Sequence, residues 1–244
     1  MSDLRRNGKL RWVPSYLRNQ GQLTRSQKRA FRDHWPRFGL TWKFNQSIDL
    51  AEAFSECEGP LLIEIGFGMG DHLVALAEKQ AHSRILGIEV HRPGLAAACG
   101  KLASAEIQNV RLVRGDARLV LEDHLPRSVA DAILVPFPEP WPKPEDQHRR
   151  LLSPGLIDLV EKTLKPSGIF HAATDIENYA SAIDSMMKAR SGWESVALPA
   201  WLQREKPTLY EQKGLAAGRE IHDLTFARRA KESTDALSDF ASFN

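Results

Sequence analysis

The sequence predicts an α/β fold built on a doubly wound, mostly parallel sheet of seven strands. Three observations carry this. Apolar runs of strand length alternate with segments of helical period from Leu61 onwards. The first run ends in glycines at alternate positions, Gly66, Gly68 and Gly70, before Leu73, Val74, Leu76 and Ala77 recur at helical spacing. Glycine suits such a strand-to-helix turn because the backbone must turn sharply and, lacking a Cβ, can approach a ligand closely. Four acidic residues also fall at or just beyond the ends of predicted parallel strands, the edge where open α/β sheets bind ligands.

Taken in order, residues 24–30 read as a cap and short helix, and 49–54 as a further helical turn. Strands are predicted at 61–65, 84–90, 110–113, 131–135 and 168–173. The helices between and after them fall at 71–79, 93–103, 118–124, 156–164 and 177–188, the fourth of these stopped by Pro166 and Gly168. Two last strands, at 193–196 and 220–227, are joined by a long polar connection. Three segments follow from this pass: a basic arm over 1–43, a main domain over 44–230 and a tail over 231–244.

Bulk properties narrow the function. A chain of 244 residues, 42% hydrophobic and 26% charged, suits one large soluble domain with an extension. No apolar run approaches the roughly 20 residues that span a bilayer, and no apolar core follows the N-terminal arginines, so no secretory signal is predicted. Cys57 and Cys99 have neither metal-site spacing nor a disulfide partner pattern, which fits a reducing cytoplasm, and no metal site is expected. The net charge of +2 hides an asymmetry: residues 1–43 carry +9, leaving the other 201 at −7. Aromatics interleave with the arm's cations: Trp12, Tyr16, Phe31, Trp35, Phe38 and Trp42 among Arg11, Arg18, Arg25, Lys28, Arg29 and Arg32. Such an arm is either a solvated tail or a nucleic-acid contact, its rings stacking on bases or packing.

The glycine spacing selects the ligand. A dinucleotide fingerprint has two residues between its second and third glycines; here Met69 stands alone, and Glu64 precedes the first glycine. A carboxylate there repels a pyrophosphate but suits an ammonium or sulfonium group. Glu89 ends the second strand, about 20 residues after the glycines, where an acid can accept from ribose hydroxyls. Asp116 follows the third strand, as an adenine contact or a helix cap. Glu139 follows the fourth, inside a loop with five prolines in nine residues, Pro136 to Pro144, which is stiff and extended and aims Glu139, Trp141 and Lys143.

Glu64-x-Gly66-x-Gly68-x-Gly70 resembles the first motif of S-adenosylmethionine (SAM) methyltransferases, which have a Rossmann-like sheet. The proline loop resembles the Pro-Asp-Pro-Trp-Pro-Lys loop of the bacterial tRNA (guanine-N7)-methyltransferases. Arg18 to Thr24, Phe170 to Asp175 and Thr208 to Gly214 are similar to three further segments of that family. The resemblance implies SAM as cofactor, tRNA as partner, and methylation of the variable-loop guanine numbered 46 in tRNA convention. It implies that Glu64, Gly66, Gly68, Gly70, Glu89, Asp116 and Glu139 hold SAM or line its pocket. Lys143, Asp175, Thr208, Leu209, Tyr210 and Glu211 would contact tRNA or the target base. Glu139, where the family usually has Asp, is the expected catalytic carboxylate; Asp175 or Glu211 is expected to read the guanine N1–H and amino edge. Trp141 stacks on the base or wedges the loop. Arg149 and Arg150 meet phosphates or begin a solvated helix. Two rivals share part of this pattern: a methyltransferase of the same fold acting on a small molecule or protein, and a non-catalytic RNA-binding module. Monomer and homodimer both fit the sequence.

Overall fold

The computed structural model describes residues 5–6, 9–10, 16, 22–42, 46–204 and 207–230. Trp12, Arg11, Arg18, the 18–21 part of the N-terminal motif and the 231–244 tail lie outside these. The N-terminal elements are β1 (Arg5–Arg6), β2 (Lys9–Leu10), α1 (Arg25–Phe38), β3 (Gly39–Leu40) and α2 (Leu50–Ala53). The alternating core follows: β4 (Leu61–Ile65), α3 (Asp71–Lys79), β5 (Arg84–Glu89), α4 (Arg92–Ser104), β6 (Val110–Arg114), α5 (Ala117–Leu119) and β7 (Ala130–Pro136). Last come α6 (Pro154–Thr163), β8 (Leu164–Thr174), α7 (Glu177–Lys188), β9 (Trp193–Ser195), α8 (Leu209–Ala216) and β10 (His222–Arg228).

The main sheet has eight strands in the order β3-β6-β5-β4-β7-β8-β10-β9. All seven predicted strands are present; the eighth, β3, pairs in parallel with β6 at one edge. β10 runs antiparallel to both β8 and β9, and the other pairings are parallel. Helices cover both faces, which is why strands such as β4 are buried along their whole length and, Glu64 apart, apolar. One core gathers Leu156, Ile157, Tyr179 and Ile183 from α6 and α7. The other gathers Phe38, Leu73, Leu95 and Leu102 from α1, α3 and α4.

Three boundaries differ from expectation. Helix α6 ends at Thr163, and β8 begins at once, running through Pro166 and Gly168. The ladder with β7 jumps from Ala130–Leu164 to Ala132–Ile169, so residues 165–168 bulge out and Pro166 owes no ladder hydrogen bond. The predicted 118–124 helix is instead the single turn α5 followed by a wide π turn over Val120–His124. The long polar connection contains α8, opened by a capping box in which Thr208 Oγ1 accepts the Glu211 N–H at 3.1 Å and Glu211 Oε2 accepts the Thr208 N–H at 3.2 Å.

Within the predicted arm, residues 25–40 pack on the sheet domain. Thr24 and Gln27 cap α1 reciprocally. Its apolar side carries Phe31 and Trp35, stacked at 4.8 Å, and Phe38, which is wholly buried. These rings therefore pack rather than wait for bases. Arg25, Lys28, Arg29 and Arg32 remain on the exposed side. No helix among the described residues is long and apolar enough to cross a membrane.

Candidate active site

The carboxyl ends of β4, β5, β6 and β7 open into a cleft of about 490 Å³. A smaller pocket of about 70 Å³ adjoins it, sharing Gly66, Gly68, Phe137 and Tyr210. β4 is the strand from which the chain winds to β5 on one side and β7 on the other, the switch point where such sheets bind ligands.

On the β4–β6 side the backbone builds the site. Gly66 (φ +75°) and Gly68 (φ +56°) adopt left-handed conformations, and a Cβ on either would meet nothing within 4 Å: the space in front of both is open. Gly70 serves packing instead, since a Cβ there would lie 2.7 Å from the Ala98 Cβ of α4. Glu89 fastens this loop. Its Oε2 accepts the Gly68 N–H at 2.9 Å, and its Oε1 accepts the Val90 and His91 N–H groups at 2.7 and 2.8 Å. Burial pushes the Glu89 carboxyl above its ordinary pKa, opposed by these three donors. Asp116 Oδ1 accepts the Arg118 N–H at 2.9 Å, so the helix-cap reading is realised, yet the residue also lines the cleft. Glu64 is the most telling. It is 0% exposed in β4, and neither oxygen meets an aligned hydrogen-bond donor among the described residues. His72 Nδ1 lies 3.0 Å from Oε2, an ion-pair contact when the imidazole is protonated. Burying a carboxylate so poorly partnered is costly. A buried acceptor beside an open glycine cradle fits the cationic amino-acid end of SAM, with Glu89 and Asp116 at hand for the nucleoside.

On the β7–β8 side, side chains and a stiff loop build the site. Pro138 and Pro140 bracket Glu139, which is exposed and lines the cleft. Phe137 (φ +49°) and Trp141 (φ +42°) take left-handed conformations in this loop. The Arg149 guanidinium covers one face of Trp141, 3.7 Å from the ring centroid. Arg150 does not meet phosphates. It is 7% exposed, donates to the Pro140 carbonyl at 3.0 Å and to Asn178 Oδ1 at 2.7 Å, and lies over the Tyr179 ring. It braces the loop against α7. Asp175 lines the cleft, accepts the Arg219 Nε–H on Oδ2 at 2.8 Å and has Arg219 Nη2 in ion-pair contact with the same oxygen.

Of the predicted site residues, Gly66, Gly68, Glu89, Asp116, Glu139, Asp175 and Tyr210 line the main cleft, and Glu64, Thr208 and Leu209 the adjoining pocket. Lys143 is exposed and lines neither. Glu211 turns away from both cavities to Arg204, accepting from Nε at 2.8 Å and Nη2 at 3.3 Å as well as from the Thr208 N–H. Sequence reasoning missed His72, Lys213 and Arg219. Their only signal was helical spacing from residues already singled out: His72 opens the helix after the glycines, and Lys213 stands three residues after Tyr210.

Comparison with known proteins decides the family. A family model described as "Putative methyltransferase" matches residues 58–224. Curated tRNA (guanine-N(7)-)-methyltransferases align over nearly the whole chain. That of Nitrosococcus oceani is 34% identical over 88% of this chain and 91% of its own; that of Aliivibrio fischeri is 35% identical over 94% and 98%. The chain belongs to the tRNA (guanine-N7)-methyltransferase family. Solved structures agree on the fold of this family member. The 16S rRNA methyltransferase KamB superposes with a TM-score of 0.54 at 15% identity, over 75% of this chain and 95% of its own. The [4+2]-cyclase SpnF reaches 0.50 at 17% identity over 74% and 78%. A methyltransferase and a cyclase on one framework make clear that fold alone does not choose a reaction.

Proposed function

We infer that this protein transfers the methyl group of SAM to N7 of a guanine in tRNA, the variable-loop guanine numbered 46 in tRNA convention. The observation that supports it best is the joining, in one cleft, of a glycine cradle with its buried carboxylate to an exposed carboxylate on a rigid loop. SAM, when bound, supplies a methyl group already activated by its sulfonium charge. Glu64 would hold its amino group; Glu89 and Asp116 would hold the ribose and adenine.

Guanine N7 carries an in-plane lone pair and no proton. The chain therefore needs no general base, and its work is orientation and charge. Orientation can contribute roughly 7–11 kcal/mol in ideal cases. Glu139, fixed between two prolines, offsets the positive charge that develops on the purine. Asp175 keeps Oδ1 free of hydrogen bonds among the described residues and is the better placed of the two acids to accept from the guanine N1–H and amino group. Tyr210 and Lys213 face the base and its phosphate from α8. The exposed cations of α1, with those of the preceding arm, meet the tRNA backbone. A tRNA substrate implies work in the cytoplasm.

The test is methyl transfer from radiolabelled SAM to unmodified bulk tRNA, followed by nucleoside analysis. Label in 7-methylguanosine is expected. Intact SAM binding with no label in tRNA would overturn the reading in favour of a small-molecule or protein substrate.

A further inference from the structure

We propose that Arg204 is a positioning residue: it latches α8, and with it Tyr210 and Lys213, over the mouth of the cleft. The proposal rests on the reading of that cleft as the tRNA site.

An eight-residue helix is too short to hold itself in water, and α8 has little apolar anchorage. Leu209, Tyr210 and Leu215 are each at least half exposed, and Gly214 is the one buried residue of the helix. What fixes it is charge. The side chain of Arg204 is 6% exposed. Nε and Nη2 reach Glu211 on α8, while Nη1 and Nη2 reach the two oxygens of Asp223 on β10 at 2.7 and 2.9 Å. Arg204 thus forks onto a carboxylate of the helix and a carboxylate of the sheet. Without it, two like charges would face one another in a largely buried space. Asp223 is anchored in turn, its Oδ1 lying 3.3 Å from His171 Nε2 in β8. The guanidinium also sits 5.7 Å from the ring centroid of Phe137, which lines both cavities, so the latch touches the proline loop.

The far end of α8 has a second, weaker tie. Gly214 packs so closely on Asp175 that a Cβ there would lie 2.9 Å from the Asp175 Cβ, and Arg219 pairs with the same carboxylate from a half-exposed position. Glu211 accordingly serves the reaction through the helix it caps and latches, not through the base. The SAM-side groups Glu89, Gly68 and Asp116 stand on other elements, and α8 meets that side through the small pocket that Leu209 and Tyr210 share with Glu64, so the latch bears mainly on the tRNA.

The experiment compares wild type with Arg204→Gln, Arg204→Lys and Glu211→Gln, measuring kinetics with tRNA, SAM affinity by calorimetry, and hydrogen exchange over 209–216. In Arg204→Gln the KM for tRNA should rise about tenfold or more, as a displaced contact element would cause. Its kcat should fall less than about threefold and its SAM Kd should shift less than about threefold, while α8 amides exchange faster than those of α7. Arg204→Lys keeps the cation but not the fork and should fall between the two. Glu211→Gln retains both cap and shape and should shift KM the same way by less; it stands in if Arg204→Gln does not fold. An unchanged KM, or SAM Kd rising as much as KM, overturns the latch. A wild-type enzyme that never labels tRNA refutes the functional reading instead, and unaltered α8 exchange in the variants still refutes the latch.

Discussion

The two sides of the cleft are held in opposite ways. The side proposed for SAM is backbone: glycines in left-handed conformations, one of them, Gly68, tied through its N–H to Glu89, with Glu64 buried in a central strand. The side proposed for tRNA is side chain: a proline loop on which Arg149 covers Trp141, and a short exposed helix held by Arg204 and Arg219. A small ligand of constant shape suits a preformed cradle. A large, charged and mobile substrate suits a surface assembled from ion pairs, which can yield and re-form. Perturbation should therefore separate the sides: changes on one should leave the other's affinity alone.

The largest separation is expected at Glu139. It is exposed, flanked by prolines and lines the cleft. Glu139→Ala should lower kcat about 10²–10³-fold, the usual cost of removing one preorganised electrostatic group. Single-turnover rates and tRNA binding measured together check this. Equal losses in turnover and tRNA affinity would make Glu139 a docking residue and blur the comparison.

Glycine substitutions sharpen the SAM side. Gly70 combines φ +83° with a Cβ position 2.7 Å from the Ala98 Cβ, so Gly70→Ala should destabilise the fold by about 1–3 kcal/mol. Gly68 has open space before it, so Gly68→Ala should cost only the left-handed strain, about 1–2 kcal/mol. Its methyl would, however, fill the cradle and weaken SAM binding more than Gly70→Ala does. Urea unfolding and SAM calorimetry on the pair test the crossing of the two effects; the same ranking in both would refute the division of labour among the glycines.

The SAM side was legible in the sequence for the reason that makes it rigid. Its instructions are local: an apolar strand, a glycine at each alternate position, an acid at each strand end. Helices α3 and α7 and the five parallel strands of the core likewise follow from hydrophobic period alone. The tRNA side is written at long range. Arg204 lies 19 residues from Asp223, and Asp175 lies 44 from Arg219, spacings that no periodicity marks. Resemblance located this side and left Asp175 and Glu211 as alternatives for the base edge, because a conspicuous Thr-x-x-Glu does not announce that it caps a helix. Likewise β3 was hidden inside a charged arm as two residues beginning at a glycine, and its strand character comes from β6 rather than from propensity.

The smallest expected effect, and the one that tests whether the SAM side is wholly static, is at His72. This imidazole on α3 faces Glu64 from β4 at 3.0 Å, with Arg204 and with Glu211 of α8 acting at longer range. Burial, the strongest single influence, disfavours its charged form, but the charge and the polar contact of Glu64 together outweigh it and the His72 pKa lies above its ordinary value of 6.5. A group whose pKa is raised by folding contributes stability that is fully present below its unfolded value and lost as pH rises through the folded one. The free protein should thus lose melting temperature as pH climbs above about 6.5, and His72→Asn should flatten that slope. SAM affinity should move the other way, strengthening as pH rises, because an imidazolium competes with the ligand's own cation for Glu64. Over the same range Arg204, its pKa raised, and Asp223, its pKa depressed, keep their charges, so α8 should stay latched. Parallel melting slopes in wild type and His72→Asn would remove titration from the SAM side; a pH-dependent loosening of α8 would break the contrast from the other.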